Sequence, residues 1–163
     1  MNRSAWTSLT EAQLLAQCEV DTYRASGPGG QKRNKTSSAV RLRHPGSGLI
    51  VIAEESRSQH ENKARALKRL RRAFFLKMRE QPNLAAPEFH GPLKLGRRDP
   101  RFWTVAGLLL DVLHAHEGRL SDAGKALGLT TGNLVDFLQT DPKLWEQANI
   151  LRTQFGQKPL RCS

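Results

Sequence analysis

The sequence predicts an α+β fold: a small antiparallel sheet with one covering helix and a glycine-rich loop, followed by a small all-α helical module. Three short runs of β-favouring residues, 19–25, 38–44 and 49–52, are divided by Gly- and Pro-rich punctuation. Apolar residues then recur at helical spacing through Leu67, Leu70, Phe74 and Met78. Past Pro100 the periods are helical, set off by caps and glycine stops.

Residues 8–18 read as a short helix, with Ser8 or Thr10 as cap and Glu11 favouring its N-terminus. Leu14, Leu15 and Cys18 give that helix an apolar side. Val20, Thr22 and Tyr23 make 19–25 a strand. The glycines and proline of Ser26-Gly27-Pro28-Gly29-Gly30 extend neither a helix nor a regular strand, so an exposed loop is expected there, open to close approach by another molecule. In 38–44, Val40 and Leu42 alternate with Arg41 and Arg43. Pro45-Gly46-Ser47-Gly48 is a turn, and Leu49-Ile50-Val51-Ile52 a further, more buried strand.

Ser58 and Glu61 have capping-box spacing and open the covering helix. Its other faces hold Lys63, Arg65, Lys68, Arg69, Arg71, Arg72, Lys77 and Arg79, with little acid to pair them, a set expected to meet a phosphate backbone. Four of the eight prolines lie in 81–100, which reads as a linker between a domain at 1–80 and a module at 101–163. In that module Trp103, Ala106, Leu110 and Leu113 form a first helical stripe, ended by Gly118. Ser121 or Asp122 caps a second helix that stops at Gly128, and Thr131 or Asn133 opens a third with Leu134, Phe137 and Leu138. Asp141-Pro142 opens a fourth with Leu144, Trp145, Ala148 and Leu151. Residues 123–138 are similar to a helix-turn-helix.

The 163 residues include 26 Lys plus Arg against 15 Asp plus Glu, a net charge of +11. Residues 21–80 carry +10, residues 81–163 only +2, and residues 1–20 carry −1. A polyanionic partner for the loop-bearing domain is expected, although a basic face alone also suits a membrane surface or an acidic protein. Cys18 and Cys162 give no disulfide framework and point to a reducing compartment. There is no apolar run of membrane-spanning length and no signal-peptide pattern at Met1. A soluble, cytoplasmic protein without a membrane partner is the expectation; the oligomeric state is not fixed by the sequence, with a monomer preferred.

No metal and no cofactor are expected: His114 and His116 point to different sides of a helix, and no Cys or carboxylate cluster completes a site. Ser37 and Ser38 lack a His–Asp partnership for nucleophilic chemistry. The run from Gly29 to Lys35-Thr36 approaches a P-loop, but Asn34 stands where that loop needs its second glycine.

Gly29-Gly30-Gln31, Asn34-Lys35-Thr36, Ser38-Ala39-Val40-Arg41-Leu42 and Ser56-Arg57-Ser58-Gln59-His60-Glu61-Asn62 follow one another along residues 20–79. In that order they resemble the catalytic domain of class I peptide-chain release factors and their small, codon-independent ribosome-rescue relatives. The resemblance implies ribosome-dependent hydrolysis of the peptidyl-tRNA ester, with Gly29, Gly30 and Gln31 as catalytic residues. It implies large-subunit ribosomal RNA and P-site peptidyl-tRNA as partners, and Gln31 as a methylation candidate. Arg24, Lys32, Arg33, Lys35, Arg41, Arg57, Lys68, Arg69 and Arg72 are the cations expected against RNA.

Ester hydrolysis needs a positioned water and a donor for charge developing on oxygen. The Gln31 N–H donates without a side chain, and the Gln31 amide both donates and accepts. Where the family most often has His-Val after the glutamine, this chain has Lys32-Arg33, which adds charge beside the reacting group. No segment matches the domains with which codon-reading factors contact a stop codon. Residues 157–163 hold only Lys158 and Arg161, where several small rescue relatives carry a basic tail. Two other classes fit the same residues: a non-catalytic ribosome- or RNA-binding protein on this scaffold, and a DNA-binding regulator using the C-terminal helices.

Overall fold

The computed structural model describes residues 3–25, 37–83 and 89–162. The chain divides into two compact units, 1–74 and 75–163. The first contains α1 (Arg3–Thr7), α2 (Glu11–Ala16), β1 (Glu19–Tyr23), β2 (Ala39–His44), β3 (Leu49–Ala53) and most of α3 (Gln59–Lys77). The class is α+β, as the sequence predicts.

Thr10 caps α2 in a complete capping box: its hydroxyl accepts from the Gln13 N–H, and the Gln13 side chain accepts from the Thr10 N–H at 3.0 Å. The strands form an antiparallel sheet in the order β1-β2-β3. Val40, Leu42 and His44 of β2 are buried while Arg41 and Arg43 between them are exposed, the alternation that a half-buried strand requires. β3 departs from its expectation. Ile50 and Ile52 are 56% and 44% exposed, because their register places them beside Arg43 and Arg41 on the outer face. The apolar run predicts a more buried strand, but only one of its faces is covered.

α3 lies on the inner face, where Leu67, Leu70 and Phe74 are buried. Met78 falls beyond its last residue, Lys77, so the expected stripe ends at Phe74. Only half of the expected capping box forms here. The Ser58 hydroxyl accepts from the Glu61 N–H at 3.2 Å, but the Glu61 carboxylate takes the Ser56 hydroxyl instead of the Ser58 N–H. The Arg71 guanidinium leaves the cationic face and donates to the carbonyls of Thr7 and Leu9, tying the α1–α2 connection to α3.

The second unit packs α4 (Phe102–Ala115), α5 (Leu120–Leu127), α6 (Thr131–Leu138) and α7 (Pro142–Gln154) around Phe102, Leu110, Leu113, Leu134, Phe137 and Leu144. Phe89, Leu93 and Leu95 pack against this core, and the Phe89 N–H donates to the Leu127 carbonyl at 3.0 Å. α4 stops at Ala115, and the chain turns through Glu117 and Gly118 at φ 55° and 78°. Arg119, not Ser121 or Asp122, sits at the α5 N-cap, and Asp122 pairs with it at 2.8 Å. Thr130 caps α6, while Asp141 caps α7 with Pro142 in its first turn, as expected. Between α5 and α6, Gly128 takes the left-handed φ of 76° that closes a helix C-terminus, and the Leu129 N–H returns to the Gly124 carbonyl at 2.8 Å. No helix among the described residues is long and apolar enough to cross a membrane.

Candidate functional site

Gly29, Gly30, Gln31, Lys32, Arg33 and Lys35 lie outside the described residues; the segment 26–36 is approached from the two ends that hold it. The upstream end is β1. Tyr23 pairs with Ala39 across the ladder, and Ala25 is buried two residues later. The Tyr23 hydroxyl donates to the Glu54 carboxylate at 3.2 Å, just beyond β3. Burial and the neighbouring Glu54 charge push the Tyr23 phenol above its ordinary pKa.

The downstream end is held by α3. Its first turn presents Gln59, which donates to the Ser37 carbonyl at 3.0 Å. One turn on, the buried Asn62 amide donates to the Ser38 carbonyl at 2.7 Å and to the Ser56 carbonyl at 2.9 Å, and accepts from the Ser56 N–H at 3.1 Å. Sequence reasoning missed both residues as parts of the site. The available signal was their place in the Ser56–Asn62 block, at a helix start that must fold back towards the strand after the loop.

The described cations fall into separate sets. Lys68, Arg69 and Arg72 share one stripe of α3 with Arg65, at helical spacings of three and four. Lys68 and Arg72 are exposed. Arg69 is engaged, donating to the Ile52 carbonyl at 2.6 Å and to Glu55. Burial works to raise the Glu55 pKa, but the Arg69 hydrogen bond and backbone N–H donors outweigh it and leave the carboxyl below its ordinary value. Arg41 points from the opposite face of the sheet, where it holds Asp21 at 2.6 Å. That hydrogen bond raises the Arg41 pKa further. Arg24 and Arg57 are exposed, just past β1 and just before α3. Helical spacing therefore brings the α3 cations together, and the sheet keeps Arg41 apart from them.

Residues 13–90 match the family model described as RF-1 domain, a range that spans the sheet, the segment 26–36 and α3. The chain is 40% identical over 123 residues to peptide chain release factor 1 of Acetivibrio thermocellus, covering 75% of this chain and 31% of that protein. Residues 13–90 form an RF-1 domain, and the kinship it shows is with class I release factors.

Two further relatives carry the same name. The factor from Solidesulfovibrio magneticus is 58% identical over 55 residues, covering 34% of this chain and 15% of the relative. That from Syntrophobacter fumaroxidans is 46% identical over 86 residues, covering 52% and 24%. The chain thus spans less than a third of the length of these curated relatives. Gly29-Gly30-Gln31 falls inside the RF-1 domain match, as do Tyr23, Gln59 and Asn62.

Proposed function

We propose that this chain hydrolyses the ester between nascent peptide and tRNA in the large ribosomal subunit, without reading a codon, and so releases peptide from stalled ribosomes. The observation that carries this is an RF-1 domain match that encloses an intact Gly29-Gly30-Gln31. The excess positive charge of residues 21–80 supports an RNA-lined site. In this reading residues 1–80 do the chemistry, and 81–100 lead to the helical module at 101–163.

Gly29 and Gly30 bring the backbone close to the ester, and the Gln31 N–H stabilises charge on the oxyanion or the leaving 3′-oxygen. The Gln31 amide orients the attacking water. Arg24, Lys32, Arg33, Lys35, Arg41, Arg57, Lys68, Arg69 and Arg72 hold ribosomal RNA and set the approach. Methylation of Gln31 tunes the same group, and the intact mass of protein from its native source tests for it.

The test is release of labelled peptide from P-site peptidyl-tRNA on purified ribosomes, with the decoding site empty or holding a sense or stop codon. Release by wild type that ignores the codon and drops about 10²-fold or more in Gly30→Ala is the expected result. Failure of the folded, ribosome-bound wild type to release peptide would reject the hydrolytic reading. Release only on a stop codon would reject codon independence alone.

A further inference from the structure

We infer that Asn62 is a positioning residue for Gly29-Gly30-Gln31, resting on the hydrolytic reading above: its buried amide fixes Ser38, where the chain leaving the tripeptide enters the sheet. Asn62 and Ser38 are both buried, at 0% and 4% exposure. The amide uses both of its donors and its acceptor, so its orientation is decided by its partners: two carbonyls against Nδ2 and one N–H against Oδ1. An aspartate there would lack the donors. A leucine would leave the Ser38 carbonyl without this partner in a buried place, which costs more than the bond itself contributes.

Connectivity gives the contact its leverage. Ser38 follows Gln31 by seven positions, and the next residue, Ala39, is the ladder partner of Tyr23 on the incoming strand. The two ends of the segment are therefore cross-strand neighbours, and a second contact, Asn62 to Ser38, sets how the outgoing end sits on α3. Gln59 repeats the device one residue upstream, on Ser37. Neither side chain need touch the ester. A displacement of about 1 Å at a reacting group costs on the order of 10²-fold in rate, so a foot that slips is read out as turnover.

The experiment compares full-length wild type, Asn62→Ala, Gln59→Ala and Leu14→Ala for kcat and KM in ribosome-dependent release, at a temperature where circular dichroism shows each folded. Leu14 is a buried residue on α2 and serves as the destabilised control. Asn62→Ala is expected to lower kcat about tenfold or more while KM moves less than about threefold. Gln59→Ala, at an exposed helix start, is expected to lower kcat severalfold with no change in melting temperature. Leu14→Ala is expected to melt earlier with kcat intact. Wild-type kcat in both foot variants would overturn the inference and leave the hydrolytic reading standing. So would a loss in Leu14→Ala that matches the foot variants. A wild type that binds ribosomes but releases nothing would overturn both.

Discussion

The imidazole of His44 stands edge-on to the ring of Phe74, with centroids 5.1 Å apart, and Trp6 flanks it at 4.9 Å. The Ser47 N–H points at Nδ1 from 3.2 Å, and Nε2 faces the side-chain oxygen Oε1 of Gln17 at the same distance. That pattern suits a neutral ring with its proton on Nε2. Burial lowers the His44 pKa from its ordinary 6.5. The unfolded chain then binds a proton that the folded chain refuses, so this contribution to stability is complete above about pH 6.5 and is lost as pH falls towards the lower folded value. The slope reaches at most about 1.4 kcal/mol per pH unit. Urea midpoints measured from about pH 7 down to 5 are expected to fall for wild type and to flatten in His44→Gln. Equal slopes in the two proteins would assign the acid sensitivity to other groups.

Arg71 supports the same unit from another side. Its guanidinium donates to the carbonyls of Thr7, the last residue of α1, and of Leu9, which lies between α1 and α2. Arg71→Met keeps the aliphatic stem but removes two charge-assisted hydrogen bonds, each worth about 1.5–3 kcal/mol. Arg71→Lys is expected to recover only part of that, because an ammonium cannot present the planar fork to two carbonyls. Chemical denaturation followed by far-ultraviolet dichroism measures both; full recovery by lysine would show that charge alone suffices.

How far the sequence could be read depended on whether a signal was local. The Asp141-Pro142 cap, the Gly128 stop and the alternation of Val40 and Leu42 with Arg41 and Arg43 are encoded within a few residues, and each has its expected place. The exposure of Ile50 and Ile52 is not encoded in β3 itself. It follows from register with Arg43 and Arg41, which the run Leu49-Ile50-Val51-Ile52 does not contain. Arg71 looked like one cation among many on α3, since nothing nearby in sequence announces the carbonyls of Thr7 and Leu9. For the same reason the anchors Gln59 and Asn62 were invisible as parts of the site: their partners Ser37 and Ser38 lie more than twenty positions away.

The turn between α5 and α6 allows no side chain at one glycine and tolerates it at another. A Cβ on Gly124 would meet the Leu129 carbonyl oxygen at 2.7 Å, whereas one on Gly132 would meet only the Thr130 hydroxyl at 3.9 Å. Gly124→Ala is expected to destabilise the helical unit by about 1–3 kcal/mol through forced backbone movement. Gly132→Ala is expected to stabilise it by about 0.4–1 kcal/mol by restricting the unfolded chain. Thermal melts of the two variants should move in opposite directions. A shared direction would mean that the turn yields more readily than its packing implies.

The cations proposed against RNA differ in how far acidic neighbours already occupy them. Arg41 is held by Asp21, and Arg69 by Glu55 and the Ile52 carbonyl, while Lys68 and Arg57 are exposed. An exposed cation that neutralises a phosphate releases a counterion, so losing it reduces the salt dependence of binding by about one unit of log–log slope. Lys68→Ala and Arg57→Ala are each expected to lower that slope for a labelled large-subunit RNA fragment and to weaken binding most at low salt. Asp21→Asn is expected to tighten binding, because it frees the Arg41 guanidinium and removes a negative charge from the same face. Arg69→Ala is expected to shift the melting temperature as well as affinity, since its guanidinium is a fold contact. Fluorescence titrations across a salt series separate these outcomes. An unchanged slope in Lys68→Ala and Arg57→Ala, together with an inert Asp21→Asn, would move the RNA contacts off both sets of cations and onto the segment between the two strands.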